Sequence, residues 1–167
     1  ANPCVFVAAE ALGKTGVELP QDLEKDAAFL AAMEAIRQAG AQRMGLAELA
    51  SIPKVALVAA PQDAPTLSGR TLAAAEADIA VRMISVGQPH RAVPITGAIC
   101  LAVAARVPGS IPHRLCTAAQ GPIRIGHASG TTVVDAVVED DEAKLGAVYR
   151  TARRLFEGNV IYRGIKE

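Results

Sequence analysis

The segment Pro94-Ile95-Thr96-Gly97-Ala98-Ile99-Cys100-Leu101-Ala102-Val103-Ala104-Ala105-Arg106-Val107 limits the folds open to this chain more than any other. It reads as a helix that is apolar on every side until Arg106 and is closed by Pro108-Gly109. A helix without a polar face has to be surrounded by protein. At about a dozen residues it is too short to cross a bilayer. Its first turn carries Thr96 and Gly97 after a proline, with His90 and Arg91 just upstream. Free N–H groups at a helix start attract anions, and a small Thr-Gly pair lets a carboxylate or phosphate come close. A plain core helix, with Thr96 capping its own N-terminus, is the competing reading of the same residues.

The 167 residues suffice for one domain with a sizeable core. Seventeen basic and seventeen acidic residues cancel, which removes any global electrostatic argument for nucleic acid or an anionic membrane as partner. No run of 18 apolar residues exists, and Ala1-Asn2-Pro3 is no signal-peptide start. Cys4, Cys100 and Cys116 are odd in number and far apart, which reads as reduced thiols in a cytoplasmic protein. The chain lacks Trp and holds only two Tyr and three Phe, a poor surface for stacked bases or a flat aromatic ligand.

Residues 3–9 and 54–60 are compact apolar runs that suit buried strands. Between them, Leu23, Ala27, Leu30, Met33, Ile36 and Gly40 recur at helical spacing, predicting an outer amphipathic helix over about 26–45 that Asp26 can cap. The segment 61–70 reads as a loop, and 78–86 as a third strand leading into the buried helix, about 96–107. Gly126-His127-Ala128-Ser129-Gly130 between two apolar runs is a hairpin signature. Residues 146–153 and 158–162 can supply two final strands. The expected class is α+β, a curved antiparallel-rich sheet wrapped around the central helix in a single domain, 1–167.

At this point the residues resemble a known family. Ala1-Asn2-Pro3-Cys4-Val5-Phe6-Val7 resembles the opening of the second lobe of the PrpF family. Those proteins are isomerases of unsaturated di- and tricarboxylates within the diaminopimelate epimerase-like fold. Further similar pieces run along the chain: Gly16 to Pro20, Glu34-Ala35-Ile36-Arg37, Arg43 to Leu46, Ile52 to Ala56, and Val81-Arg82 with Ser85, Gly87 and His90. Thr96 to Cys100, Gly126 to Gly130 (Ala128 where the motif usually has Pro), Arg150 to Leu155 and Glu157-Gly158 complete the set. The resemblance implies a C-terminal lobe of a two-lobed enzyme, with the site between the lobes. It also exposes an absence. The family's proposed catalytic Cys and Lys belong to the first lobe, the Cys in a Cys-Gly-Asn motif that this sequence does not contain. Related epimerases carry a second Cys just before the central helix, where this chain has Pro94.

The resemblance places substrate contacts at Asn2, Lys54, Ser85, Thr96 and Gly97, and no catalytic residue on this chain. Asn2 can donate to a carboxylate, though an Asn-Pro turn explains it as well. Lys54 stands at the entry of an apolar strand, where a point charge suits a carboxylate or merely marks a solvated strand end. Ser85 replaces the acidic residue by which epimerases recognise an amino group, which fits a substrate without an amine. His90 and His127 can line the cleft or serve as satisfied structural residues. Three dispersed His with no Asp/Glu–His spacing argue against a metal, and the resemblance implies no organic or metal cofactor. Cys4 and Cys100 read as packing residues, and Arg150, Arg153 and Arg154 as a solvated or salt-bridged edge.

The expected activity is therefore cofactor-independent allylic proton transfer on a small unsaturated polycarboxylate such as 2-methylaconitate in propionate breakdown, with the acid/base pair on an N-terminal lobe. The chain by itself is expected to be inactive. A non-catalytic carboxylate-binding or interaction domain is the alternative. Homo-oligomeric pairing of two such chains ranks last, because Pro94 leaves both copies without a base.

Overall fold

The structure is a computed structural model that describes residues 2–46, 49–140, 142–151, 153–159 and 161. Strand β1 (Cys4–Ala8) leads through a 3-10 turn into the helices α1 (Pro20–Glu24) and α2 (Ala27–Arg43), then strand β2 (Lys54–Ala59). A short ribbon, β3 (Ala64–Pro65) with β4 (Thr71–Leu72), precedes β5 (Ile79–Ser85) and β6 (Gln88–Pro89). Next come α3 (Ile95–Arg106), α4 (Ile111–Leu115), and β7 (Ile123–His127), β8 (Gly130–Glu139) and β9 (Glu142–Tyr149). The main sheet runs β1-β2-β5-β7-β8-β9, with β6 paired to β5.

The layering follows from strand direction. β1 and β2 are parallel and joined through α2; β5 and β7 are parallel and joined through α3. β5 runs antiparallel to β2, yet both crossovers step the same way across the sheet. Right-handed crossovers between such opposed pairs place their helices on opposite faces. The packing agrees. Val55, Leu57, Ala59, Ala80 and Ile84 join Phe29 and Met33 of α2 in one cluster. Ala56, Val58, Ile79, Val81 and Met83 join Ala98, Leu101, Ala102 and Ala105 of α3 in the other. Strands buried on both faces need continuous apolar runs, which is why β2 and β5 were readable in the sequence. Asp26 accepts the Phe29 N–H at 2.9 Å and so caps α2, as its position predicted.

Beyond β7 the sheet curls around α3. Val134 and Ala136 of β8 belong to the α3 cluster, and Val148 of β9 packs against it. Gly146 lets β9 come close, since a Cβ there would lie 2.6 Å from Ile99 Cγ2. The hairpin signature forms β7–β8, with His127 paired to Gly130.

Several of the family-like sequence pieces turn out to be scaffold. The Arg82 guanidinium is buried and donates to the carbonyls of Glu18 (2.5 Å), Val17 (2.8 Å) and Val81 (2.9 Å), which ties the 16–20 segment to β5. Burial lowers its pKa to about 10, so it remains a cation. Arg37 pairs with Glu34 and donates to the Leu49 and Ile52 carbonyls, which joins α2 to the approach of β2.

The structure corrects the sequence reading in four places. α3 starts at Ile95, and Ile99, Cys100, Val103 and Ala104 are only half-buried; full enclosure is confined to the Ala98-Leu101-Ala102-Ala105 side. An apolar sequence shows that a helix needs cover but not how completely each side receives it. The last strand is β9, which ends at Tyr149, and described residues beyond it are not strand; Val160 and Tyr162, part of the second expected strand, lie outside the described residues. There Arg154 forms an exposed pair with Glu157 at 2.7 Å, in keeping with the salt-bridged reading of the arginine cluster. The expected 61–70 loop contains β3, and α1 and α4 were not foreseen because five residues give too little periodicity to register.

Candidate active site

Because β2 and β5 are antiparallel, the first residue of one and the last of the other meet at the same edge. Val55 pairs with Ile84, so Lys54 and Ser85 continue the ladder one step further. Their side chains join: Lys54 Nζ donates to Ser85 Oγ at 2.9 Å. Both are half-buried. The ammonium is thus held by a neutral hydroxyl, and its charge is not cancelled by that contact.

Three further groups converge on this edge. Asn2 precedes β1, and the neighbouring Pro3 carbonyl accepts the Lys54 N–H at 2.9 Å; the Cys4 thiol donates to the Asn2 carbonyl at 3.5 Å. α3 begins at Ile95 after the N-cap residue Pro94, with no side-chain cap, so the self-capping role considered for Thr96 is absent. Ala98 N–H already bonds the Pro94 carbonyl, while the Ile95, Thr96 and Gly97 N–H groups precede the helical ladder. Gly97 is buried directly over Met83 of β5, where a Cβ would overlap the Met83 Sδ and Cε. Thr96 is exposed at the same end.

His90 completes the arrangement. Its backbone N–H donates to the Met83 carbonyl at 2.8 Å, which fixes it between β6 and α3. Its Nε2 is buried without a hydrogen-bond partner in the structure. Burial pushes its pKa below the ordinary histidine range, and the nearby Lys54 ammonium acts in the same direction. A buried polar atom without a partner costs about 1–3 kcal/mol, so a polar guest at this spot gains by satisfying it. The sequence offered His90 as one of two readings; the orphaned nitrogen beside Lys54 distinguishes it from His127. In His127 both ring nitrogens are engaged, Nε2 with Thr132 Oγ1 at 2.9 Å and Nδ1 accepting the Ser129 N–H at 3.2 Å.

Among the described residues, no group of three or more His, Cys, Asp or Glu is placed to hold a metal, and no helix is long and apolar enough to cross a membrane. A cavity of about 200 Å³ lies at the far end of β1 and β2, lined by Ala8, Glu10, Lys14, Thr15, Ala59 and Gln62, and contains none of the predicted contacts.

The edge thus presents one ammonium, a serine hydroxyl, an unmatched imidazole nitrogen and three N–H groups ahead of the helical ladder, the kinds of group that can bind oxygen anions. The model of the PrpF protein family matches residues 1–163. This chain belongs to the PrpF family. It is 41% identical to the 2-methyl-aconitate isomerase of Shewanella oneidensis, with 95% of the chain and 43% of that protein aligned. It is 33% identical to the 3-methylitaconate isomerase of Eubacterium barkeri, over 96% of the chain and 45% of that protein. The crystal structure of methylitaconate-delta-isomerase superposes with a TM-score of 0.85 at 31% identity, covering 94% of the chain and 43% of that structure. The fold is therefore that of the matching part of methylitaconate-delta-isomerase. The chain spans less than half the length of these relatives.

Proposed function

We propose that this PrpF chain is the substrate-holding C-terminal lobe of a two-lobed isomerase of small unsaturated di- or tricarboxylates, of the 2-methylaconitate or methylitaconate type. The observation that carries the reading is the Lys54–Ser85 pair, an ammonium held by a hydroxyl next to the open start of α3. Asn2, Lys54, Ser85 and the Thr96 and Gly97 amides would receive the substrate's carboxylates, and His90 Nε2 would meet one of their oxygens. Removing an allylic proton beside a carboxylate spreads negative charge into that carboxylate. Donors fixed around it then bind the transition state more tightly than the ground state, which is the source of acceleration. The general acid and base would come from an N-terminal lobe, as the absence of Cys-Gly-Asn and the presence of Pro94 suggest. Ser85 in place of a carboxylate avoids repelling a polyanion.

The test is proton exchange in D₂O with 2-methylaconitate and methylitaconate as substrates. The chain alone is expected to bind carboxylate without exchanging protons, and the two-lobed enzyme to exchange. In that enzyme Lys54→Ala should lower kcat/KM by about 10- to 150-fold, the equivalent of a charge-assisted bond of roughly 1.5–3 kcal/mol, with Tm almost unchanged. Exchange by the isolated chain, or unaltered kinetics in Lys54→Ala, overturns the assignment of roles.

A further inference from the structure

The β5–β6 hairpin ends beside the Lys54 edge in a residue that its own turn disfavours. Ser85 pairs with Gln88, so Val86 and Gly87 alone make the turn. Both have positive φ, 52° and 71°, the combination of a type I′ turn. Gly87 fits it. At the first position glycine or asparagine is the ordinary choice, and a β-branched side chain there is strained. Val86 is also 61% exposed, so burial within this chain does little to offset the strain. Strain of this kind persists where the residue serves a contact, and it gathers at ligand clamps and active sites.

A second exposed aliphatic residue stands at the same end of the sheet. β5 and β7 are parallel, so the crossover helix α3 runs back from the end at which β5 finishes. It opens with Ile95, which is 47% exposed. Ile95 precedes Thr96 and Gly97, and Val86 follows Ser85, whose Oγ accepts from Lys54. The polar groups of the edge thus have solvent-open aliphatic side chains as their chain neighbours. Carboxylates account for the polar groups but leave the hydrocarbon part of an unsaturated polycarboxylate unmatched. Small-molecule sites pair a few fixed polar groups with apolar walls.

We propose that Val86 is a specificity-determining residue: with Ile95 it supplies the apolar wall for the hydrocarbon part of the substrate, and it favours a methyl-bearing carboxylate over the same acid without the methyl. The inference rests on the polycarboxylate reading of the Lys54 edge. A substrate methyl against Val86 removes apolar surface of both from water, whereas a hydrogen in its place leaves part of that surface wet. The Val86 side chain has neither charge nor hydrogen-bonding group, so it acts on this choice and not on the carboxylates.

The experiment measures kcat/KM for 2-methylaconitate and for aconitate, which lacks that methyl, in the two-lobed enzyme and in its Val86→Asn and Val86→Ala variants. The expected result is a preference for the methylated substrate that falls about 3- to 10-fold in both variants, part of the roughly 10- to 200-fold that a fully enclosed methyl is worth. Val86→Asn suits the turn and should raise Tm, which separates lost preference from lost folding. An unchanged ratio overturns the proposal. An equal loss on both substrates does so too, since it would make Val86 a prop for the turn or a contact with the other lobe. A fall in Tm in Val86→Asn would mean that packing holds Val86 in place, and also overturns it. Equal use of the two substrates by the unaltered enzyme overturns the proposal and leaves the polycarboxylate reading standing; turnover of neither overturns both.

Discussion

The two halves of the sheet are covered differently. β1, β2 and β5 lie between α2 on one face and α3 on the other, and residues 55–58 of β2 are each at most 1% exposed. Among the described residues β8 and β9 are covered by α3 on one side only, and Leu145 and Tyr149 of β9 are 51% and 53% exposed. The contrast shows where binding chemistry can be held rigidly. Lys54 and Ser85 stand at the margin of the doubly covered half, where neighbouring strands fix the backbone on which they sit.

The largest test of this contrast is truncation on the two sides. Leu57→Ala and Leu101→Ala remove fully buried side chains and should each cost about 2–5 kcal/mol in urea unfolding, while Leu145→Ala in this chain should stay within about 0.5 kcal/mol. Equal losses would mean that β9 is as firmly held as β2.

Acid sharpens the comparison from the other side, because the curled half carries a buried neutral histidine at its root. Burial, with Arg82 and Arg150 nearby, lowers the His127 pKa from about 6.5 to about 4. The unfolded chain therefore binds this proton first as the pH falls. The stability contribution is complete above about pH 6.5 and is lost as the pH drops toward 4, by up to about 3 kcal/mol. Urea midpoints at pH 7 and 4.5 should converge in His127→Gln relative to the parent chain. An identical pH slope in both would remove His127 from the account.

The smallest expected effect concerns the two sides of α3. Ala102 is fully buried, and Ala102→Leu should overpack by about 1–3 kcal/mol. Ala104 is half-buried, so Ala104→Leu should cost under about 1 kcal/mol. Similar costs would restore the full enclosure that the helix sequence alone suggested.

Legibility in the sequence followed the same division. β1, β2, β5, α2 and α3 announce themselves because two-sided burial demands unbroken apolar runs, or a sustained 3.6-residue period, from the residues themselves. β9 does not, because half its residues face outward and Gly146 is chosen for clearance over Ile99 rather than for strand propensity. At the site, Lys54 and Ser85 were singled out separately by residue type and resemblance, but 31 positions separate them, and only the antiparallel register reveals that they touch. His90 stayed ambiguous until an unmatched nitrogen could be seen.

Strand order also sets a timetable for synthesis. β7 and β8 are joined by a two-residue turn, and each can pair almost as soon as the next is made. β1 instead pairs with β2, whose first residue, Lys54, matches Cys4. At roughly 5–20 residues per second, the ribosome needs about 3–10 seconds to cover that gap. Over that interval Cys-Val-Phe-Val-Ala is an apolar strand without its neighbour, the kind of segment most apt to pair with the wrong chain. During translation the first strand of the sheet is thus the one that waits longest for its partner.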